Sequence, residues 1–261
     1  MIDFETYSFA ETETAVHQLI ARHIPLVLCS SKTKAEQAYY RQALGIPDPF
    51  IVENGSAIFV PKGYFPFAVD YQRTGPEFDI IELGLPAAQI RQIFLQVRQE
   101  TGLTLQSFTD LTVAEVSRIT GLDEAAAQNA QTRDYSETIV TPLTAVIRQQ
   151  LQTAFAAHDL ALISGGKFHT LTSMRSDKGT AVTILTTLFR RQLGLIVTVG
   201  LGDSANDRPL LAAVERPYLV QKPNGRWQKM NDLAITKVPG IGPDGWQQVI
   251  SKLLQTHATH R

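Results

Sequence analysis

Cysteine is nearly absent from this 261-residue chain, and a single Cys29 excludes an internal disulfide and the stapled frameworks of small secreted domains. No apolar run approaches the ~20 residues that a bilayer-spanning helix requires. No basic segment followed by an apolar one stands at the N-terminus, as a secretory signal would. An excess of one charge is lacking too. With 24 Lys and Arg against 25 Asp and Glu, the formal net charge is -1, which excludes a broad basic face for nucleic acid and an acidic disordered tail. Any anion site must therefore be local. These absences point to a cytoplasmic protein that binds neither nucleic acid nor membrane. Hydrophobic residues make up 44% of the chain, enough for one large core or two moderate ones.

What is present is a rhythm. Apolar positions alternate between helical spacing and short β-rich runs, predicting helix 11–22, strand 25–29, helix 33–44, strand 50–52 and a hairpin near 56–60 turning at Pro61-Lys62-Gly63. The middle reads as a separate α/β unit: strand 78–83, helix 86–101, strand 103–106 and a short helix opened by Thr112 and Glu115 as a capping box. Helix 123–130, strand 137–141, helix 142–158 and strand 161–163 complete it. The rhythm resumes with helix 178–193, strand 195–199, a helix from Pro209, strand 217–221 and a last helix from Asp244. Such alternation predicts a doubly wound, mostly parallel α/β sheet with an inserted second unit. In open sheets of this kind ligands bind beyond the carboxyl ends of the strands. Three polar loops fall there: Ser30-Ser31-Lys32-Thr33, Glu53-Asn54-Gly55 and Gly202-Asp203-Ser204-Ala205-Asn206-Asp207.

The last of these places two carboxylates and an amide at a strand exit. Unit charges ~5 Å apart repel by about 3 kcal/mol at an effective dielectric near 20, so Asp203 and Asp207 call for a cation, either a lysine or Mg2+. Asp203, Asn206 and Asp207 are therefore the candidate metal residues, the plainer alternative being that Asn206 or Asp207 caps the next helix. Ser30 precedes a helix whose free N–H groups favour an anion, while Ser30, Ser31 and Thr33 also suit ordinary capping. Lys178 stands at a helix start, where a cation gains nothing from the helix dipole; the alternative is an exposed lysine beside a capping Asp177. Cys29 reads as a small buried hydrophobe, and His169 as a packed strand residue.

Ser30, Lys178, Asp203 and Asp207, in that order, resemble the phosphate-handling residues of the haloacid dehalogenase superfamily. More closely, the runs Ser30-Ser31-Lys32-Thr33, Glu53-Asn54-Gly55, Ser164-Gly165-Gly166-Lys167-Phe168-His169, Lys222-Pro223-Asn224-Gly225, Gly240-Ile241-Gly242-Pro243 and Gly245-Trp246 are similar to the mannosyl-3-phosphoglycerate phosphatase family. The resemblance implies a Rossmann-like core, residues 1–76 and 173–261, with residues 77–172 forming a cap. It implies a Mg2+-dependent phosphatase that acts through an aspartyl-phosphate on a small phosphorylated sugar-glycerate. Ser30 and Lys178 would hold phosphate oxygens, Asp203 would bind metal, and Asn206 and Asp207 would position metal or lysine. Ser31, Lys32, Thr33, Asn54, Arg133, Ser164, Gly165, Gly166 and Lys167 would meet the organic part of the substrate, mannosyl or glucosyl. For Arg133 and Lys167 a solvent-facing charge is the open alternative.

One piece of that pattern is missing. The family's nucleophile lies in an Asp-x-Asp-Gly-Thr segment after the first core strand, and these 261 residues contain no such segment. Asp3-Phe4-Glu5-Thr6 lacks the glycine and the strand before it, whereas Thr6-Tyr7-Ser8 matches the stretch shortly downstream of the motif in the family. The expectation is a native start upstream of Met1; the alternative is a binding protein that kept the fold without the nucleophile. Either way the chain is expected to have little phosphatase activity and a gap in its sheet.

Overall fold

The computed structural model describes Met1, residues 8–165 and residues 167–258. Asp3, Glu5 and Gly166 lie outside the described residues. The chain runs α1 (Glu13–Ala21), α2 (Lys34–Leu44), β1 (Phe50–Val52), β2 (Ala57–Pro61), β3 (Arg73–Thr74) and β4 (Phe78–Glu82). There follow α3 (Ala87–Thr101), α4 (Val113–Thr120), α5 (Glu124–Gln131), β5 (Ser136–Ile139), α6 (Ala145–Ala156), β6 (Leu160–Gly165) and β7 (Phe168–Ser173). The last part comprises α7 (Lys178–Leu193), β8 (Val199–Gly202), α8 (Arg208–Ala213), β9 (Arg216–Gln221), β10 (Thr236–Ile241) and α9 (Pro243–Ala258).

Strand alternation sorts the core into two layers. Phe50, Val52, Ala57 and Phe59 turn towards α1, α2 and α9, where they pack with Val16, Leu44, Trp246 and Ile250. Ile51, Ile58 and Val60 turn the other way, onto Ala181, Leu185 and Phe189 of α7. The doubly wound arrangement follows, since a sheet apolar on both faces needs helices on both. The inserted unit has its own core, in which Ile90 and Phe94 of α3 and Leu151 and Phe155 of α6 cover Leu162 and Leu171 of an antiparallel sheet ordered β5-β7-β6.

Four sequence expectations are corrected. Residues 78–83 do not belong to the inserted unit: β4 pairs antiparallel with β2, Ile81 opposite Ile58, because its apolar residues complete the β1-β2 hairpin. Residues 103–106 form no strand and run beside β5 with one bridge, Ser107 to Ile139. Residues 25–29 and 195–198 are likewise not regular strands. Among the described residues, 25–29 holds only one parallel bridge, Cys29 to Ile51, and β8 pairs only with β9. Leu26 and Leu28 share with Val197 and Val199 the lining of one cleft of about 890 Å3, and Leu195 is fully exposed. Without a neighbour on that side, neither segment can close a ladder of backbone hydrogen bonds. Among the described residues the parallel pairings are consequently confined to β8-β9-β10 and that single bridge, and the other two sheets are antiparallel.

Candidate active site

The Glu53-Asn54-Gly55 turn is the hub of the site. Asn54 adopts φ 62° and Gly55 φ 96°, both left-handed, which folds the chain tightly between β1 and β2. The turn presses against the start of α7 so closely that a Cβ on Gly55 would lie 2.2 Å from the Asp177 carbonyl carbon. Asp177 caps α7, its Oδ1 accepting from the N–H groups of Gly179 (2.6 Å) and Thr180 (2.9 Å). The next residue, Lys178, is thereby aimed inward, 5% exposed, with its Nζ 2.6 Å from Asp207 Oδ1. Asp207 is brought there by its own loop. Its Oδ2 accepts from the N–H groups of Asp203 (3.0 Å) and Ser204 (3.1 Å), a turn so tight that only glycine fits at position 202.

Asn206 closes the arrangement. Its side-chain amide donates to Asn54 Oδ1 at 3.1 Å, while the Asn54 N–H donates to the Ser30 carbonyl at 3.0 Å. Ser30, Lys178, Asp203, Asn206 and Asp207 all line the cleft of about 890 Å3. The loops after β1 and β8 thus meet at the carboxyl ends of their strands, joined by residue 30 and by the start of α7, as open α/β sheets favour.

The charges are unequal in role. Burial acts to strip Lys178 of its proton, but Asp207 beside it and the more distant Asp203 hold its pKa above the ordinary lysine range. Burial likewise disfavours the charged form of Asp207, yet Lys178 and the two loop N–H groups pull its carboxyl below the usual range. Asp203 goes the other way. Burial and the neighbouring Asp207 charge raise its pKa, against weaker help from Lys178 and Ser204. Asp207 is therefore paired, one oxygen accepting from an ammonium group and the other from the loop N–H groups, which places it as the residue that positions the lysine. Asn206 is committed too, its Oδ1 accepting from the Ser204 hydroxyl at 2.7 Å. Asp203 remains as the carboxylate short of positive charge. Among the described residues no group of three or more His, Cys, Asp or Glu side chains could hold a metal by itself. Asp203 fits one ligand position for a hard cation whose sphere water and a phosphate oxygen complete.

Several residues expected to meet substrate instead fasten the inserted unit to the core. Arg133, 8% exposed, donates to Ser136 Oγ (2.7 Å), the Ala130 carbonyl (3.3 Å) and the Ser31 carbonyl (2.8 Å), and its Nε lies 3.7 Å from Glu53 Oε2. It is neither solvated nor free for ligand. Thr33, fully buried, accepts from the Glu36 N–H as the cap of α2 and donates to the Asn129 carbonyl at 2.8 Å. Lys32 pairs with Glu36 at 3.0 Å. Ser164, Gly165 and Lys167 belong to the β6-β7 hairpin, and Ser164 Oγ bonds His169 Nδ1 at 3.0 Å. Ser164 itself is exposed, and β6 runs beside the 205–207 turn, so this hairpin stays near the phosphate-handling residues. Ser31 and Asn54 stay next to the phosphate-handling residues.

Glu53 escaped sequence reasoning. Wholly buried, it accepts from the Asp134 N–H (2.9 Å), the Tyr135 N–H (3.1 Å) and the Ser136 hydroxyl. Burial raises its pKa, opposed first by Arg133. A raised folded pKa contributes stability that is present below the unfolded value of 4.5 and lost as pH rises through the folded value. Removing Arg133 raises that pKa further. Arg133→Ala is therefore expected to cost least in acid and progressively more as pH rises towards neutrality, by about 3 kcal/mol at the upper end. Urea midpoints measured across the pH range test this, and a penalty independent of pH contradicts it. Cys29 is inert by comparison, its thiol pushed up to about 12 by burial.

With this geometry in view, the class is defined: the chain belongs to the haloacid dehalogenase-like hydrolases, whose family model matches residues 4–238. Within that class it is 37% identical over 255 residues to a glucosyl-3-phosphoglycerate/mannosyl-3-phosphoglycerate phosphatase of Methanococcoides burtonii, covering 97% of this chain and 93% of the relative. It is also 37% identical over 195 residues to a mannosyl-3-phosphoglycerate phosphatase of Pyrococcus horikoshii, covering 75% of this chain and 76% of that one. A solved structure of a haloalkanoate-superfamily phosphatase from Bacteroides thetaiotaomicron superimposes with a TM-score of 0.65 at 15% identity, covering 96% of this chain and 90% of the other. Among the described residues no helix is long and apolar enough to cross a membrane.

Proposed function

We propose that this chain handles the phosphate of glucosyl- or mannosyl-3-phosphoglycerate as a cytoplasmic phosphoric monoester hydrolase, releasing the sugar-glycerate. The observation that carries the reading is the convergence of Ser30, Lys178 and Asp203 on one cleft, with Asp207 holding Lys178 in its charged form. A phosphate dianion there would accept from Ser30 and Lys178, while Asp203 would hold Mg2+. The metal, when bound, offsets the charge on phosphate oxygens. Ser31 and Asn54 are the residues best placed to meet the glycerate end, and the β6-β7 hairpin supplies a wall towards the sugar. Low dielectric in the buried part of the site strengthens each of these charged contacts.

Hydrolysis requires a carboxylate nucleophile, and Asp-x-Asp-Gly-Thr is not among these 261 residues. Met1 lies in the lining of the cleft. The test is an engineered extension, an apolar strand of about five residues followed by Asp-x-Asp-Gly-Thr, fused ahead of Met1. Phosphate release from mannosyl- and glucosyl-3-phosphoglycerate with Mg2+ is expected to exceed that of the 261-residue chain by at least about 100-fold, ~2.7 kcal/mol of barrier. Calorimetric binding of either substrate without turnover in the extended chain would favour a non-catalytic sugar-phosphate binder. Failure to bind would remove the assignment altogether.

A further inference from the structure

A second cavity, of about 940 Å3, opens on the opposite side of α2 from the loop that carries Ser30, between that helix, the β2-β4 hairpin and the start of β5. Its size is that of a small-ligand site. Two cations line it, Lys34 and Arg41, two turns apart on one face of α2. Both lean on the aromatic hairpin. The Lys34 Nζ lies 5.6 Å from the Phe78 ring centre and 5.8 Å from that of Phe59; the Arg41 guanidinium is 4.4 Å from Phe50 and 5.4 Å from Phe78. Among the described residues neither has a carboxylate within 4.0 Å.

Arg41 is the unusual member. It is 9% exposed, its Nη2 donates to the Asp48 carbonyl at 2.7 Å, and its Nε has no hydrogen-bond partner among the described residues. The Asp48 carboxylate acts on it only through space, partly offsetting burial, because its oxygens accept from the Leu26 N–H and the Tyr64 hydroxyl and not from the guanidinium. A buried guanidinium that touches a carbonyl and two aromatic faces but no carboxylate keeps unused donor capacity, and this favours an anion alongside it and Lys34. Across the cavity Glu77 and Asp134 present carboxylates that carry no ion pair among the described residues, acceptors suited to hydroxyl groups.

We propose that this cavity is a second binding site, separate from the phosphate site, for a small hydroxylated anion, its carboxylate or phosphate on Lys34 and Arg41 and its hydroxyls on Glu77 and Asp134. Because Thr132 and Asp134 flank Arg133, the site adjoins the fastening between core and inserted unit.

The test is amide-resolved NMR titration of the full chain with glycerate, glycerol 1-phosphate and acetate. Glycerate or glycerol phosphate is expected to shift the Gly45 and Thr132 amides with a dissociation constant below about 10 mM, and acetate, lacking hydroxyls, to bind at least about tenfold more weakly. Whichever of the first two binds tighter identifies the anion. Glycerol 1-phosphate is also expected to shift Gly202 and Ser204 of the phosphate cleft, and Lys34→Glu should abolish the shifts at Gly45 and Thr132 while those at Gly202 and Ser204 persist. Arg41→Gln should do the same, and if it fails to fold, the less buried Lys34 carries the comparison. Absence of shifts at Gly45 and Thr132, or shifts that survive Lys34→Glu, would overturn the proposal.

Discussion

Lys178→Ala is expected to lower the affinity for inorganic phosphate by at least about 100-fold, whereas Arg133→Ala should change it less than about threefold. Lys178 reaches the cleft through a buried ion pair, so its removal takes away the cation facing the ligand and also leaves Asp207 charged and buried beside Asp203. The second effect alone should cost about 3–5 kcal/mol of stability. Lys178→Met, which keeps the volume but still leaves Asp207 unpaired, is expected to lose phosphate binding equally, so that the loss reports the missing charge and not the cavity that Ala leaves. Arg133 is spent on the Ser31 and Ala130 carbonyls, Ser136 and Glu53, and so offers the ligand nothing directly. Calorimetry on folded variants reads both numbers. Equal losses from Lys178→Ala and Arg133→Ala would contradict this division of labour.

Gly55→Ala should leave little folded protein. The new Cβ would fall 2.2 Å from the backbone carbonyl of Asp177 and 2.6 Å from the Lys178 nitrogen, and the residue sits at φ 96°. Backbone on the far side cannot swing away as a side chain would. The expected cost exceeds about 4 kcal/mol, against the roughly 5–15 kcal/mol that a typical domain has in total. Gly63→Ala is the control: its φ is also positive, at 71°, but its Cβ would meet nothing within 4 Å, so only backbone strain of about 1 kcal/mol applies. Urea unfolding followed by far-UV circular dichroism compares the two. Equal midpoints would mean that the Glu53-Asn54-Gly55 turn does not pack on the start of α7.

Much of the fold was legible because the signals are local. The capping box of Thr112 and Glu115 opens α4, Thr33 opens α2, and α7 starts at Lys178 and ends before Gly194, because caps depend on residues three or four apart. The αβ alternation announced helices on both faces. Strand pairing was less accessible. Phe78 to Glu82 has the same apolar alternation whether it joins the core hairpin or the inserted sheet, and only its partner β2 decides. Residues 25–29 and 195–198 read as strands by composition, yet a strand is a pairing and not a sequence property, and each lacks a neighbour on one side among the described residues.

The sequence by itself determined the chemistry available: the identities of Ser30, Lys178, Asp203 and Asp207, their order, and the loops that carry them past strand ends. It could not apportion the work among them. Asp203 and Asp207 are the same residue type four positions apart, and only the folded chain gives one a buried ammonium and two N–H donors and leaves the other short of positive charge. Arg133 and Thr33 likewise read as candidate ligands until the tertiary structure turned them towards carbonyls of the neighbouring unit. The physical reason is that a polar side chain's role depends on which partners reach it after burial, and those partners lie tens to more than a hundred residues away in the chain.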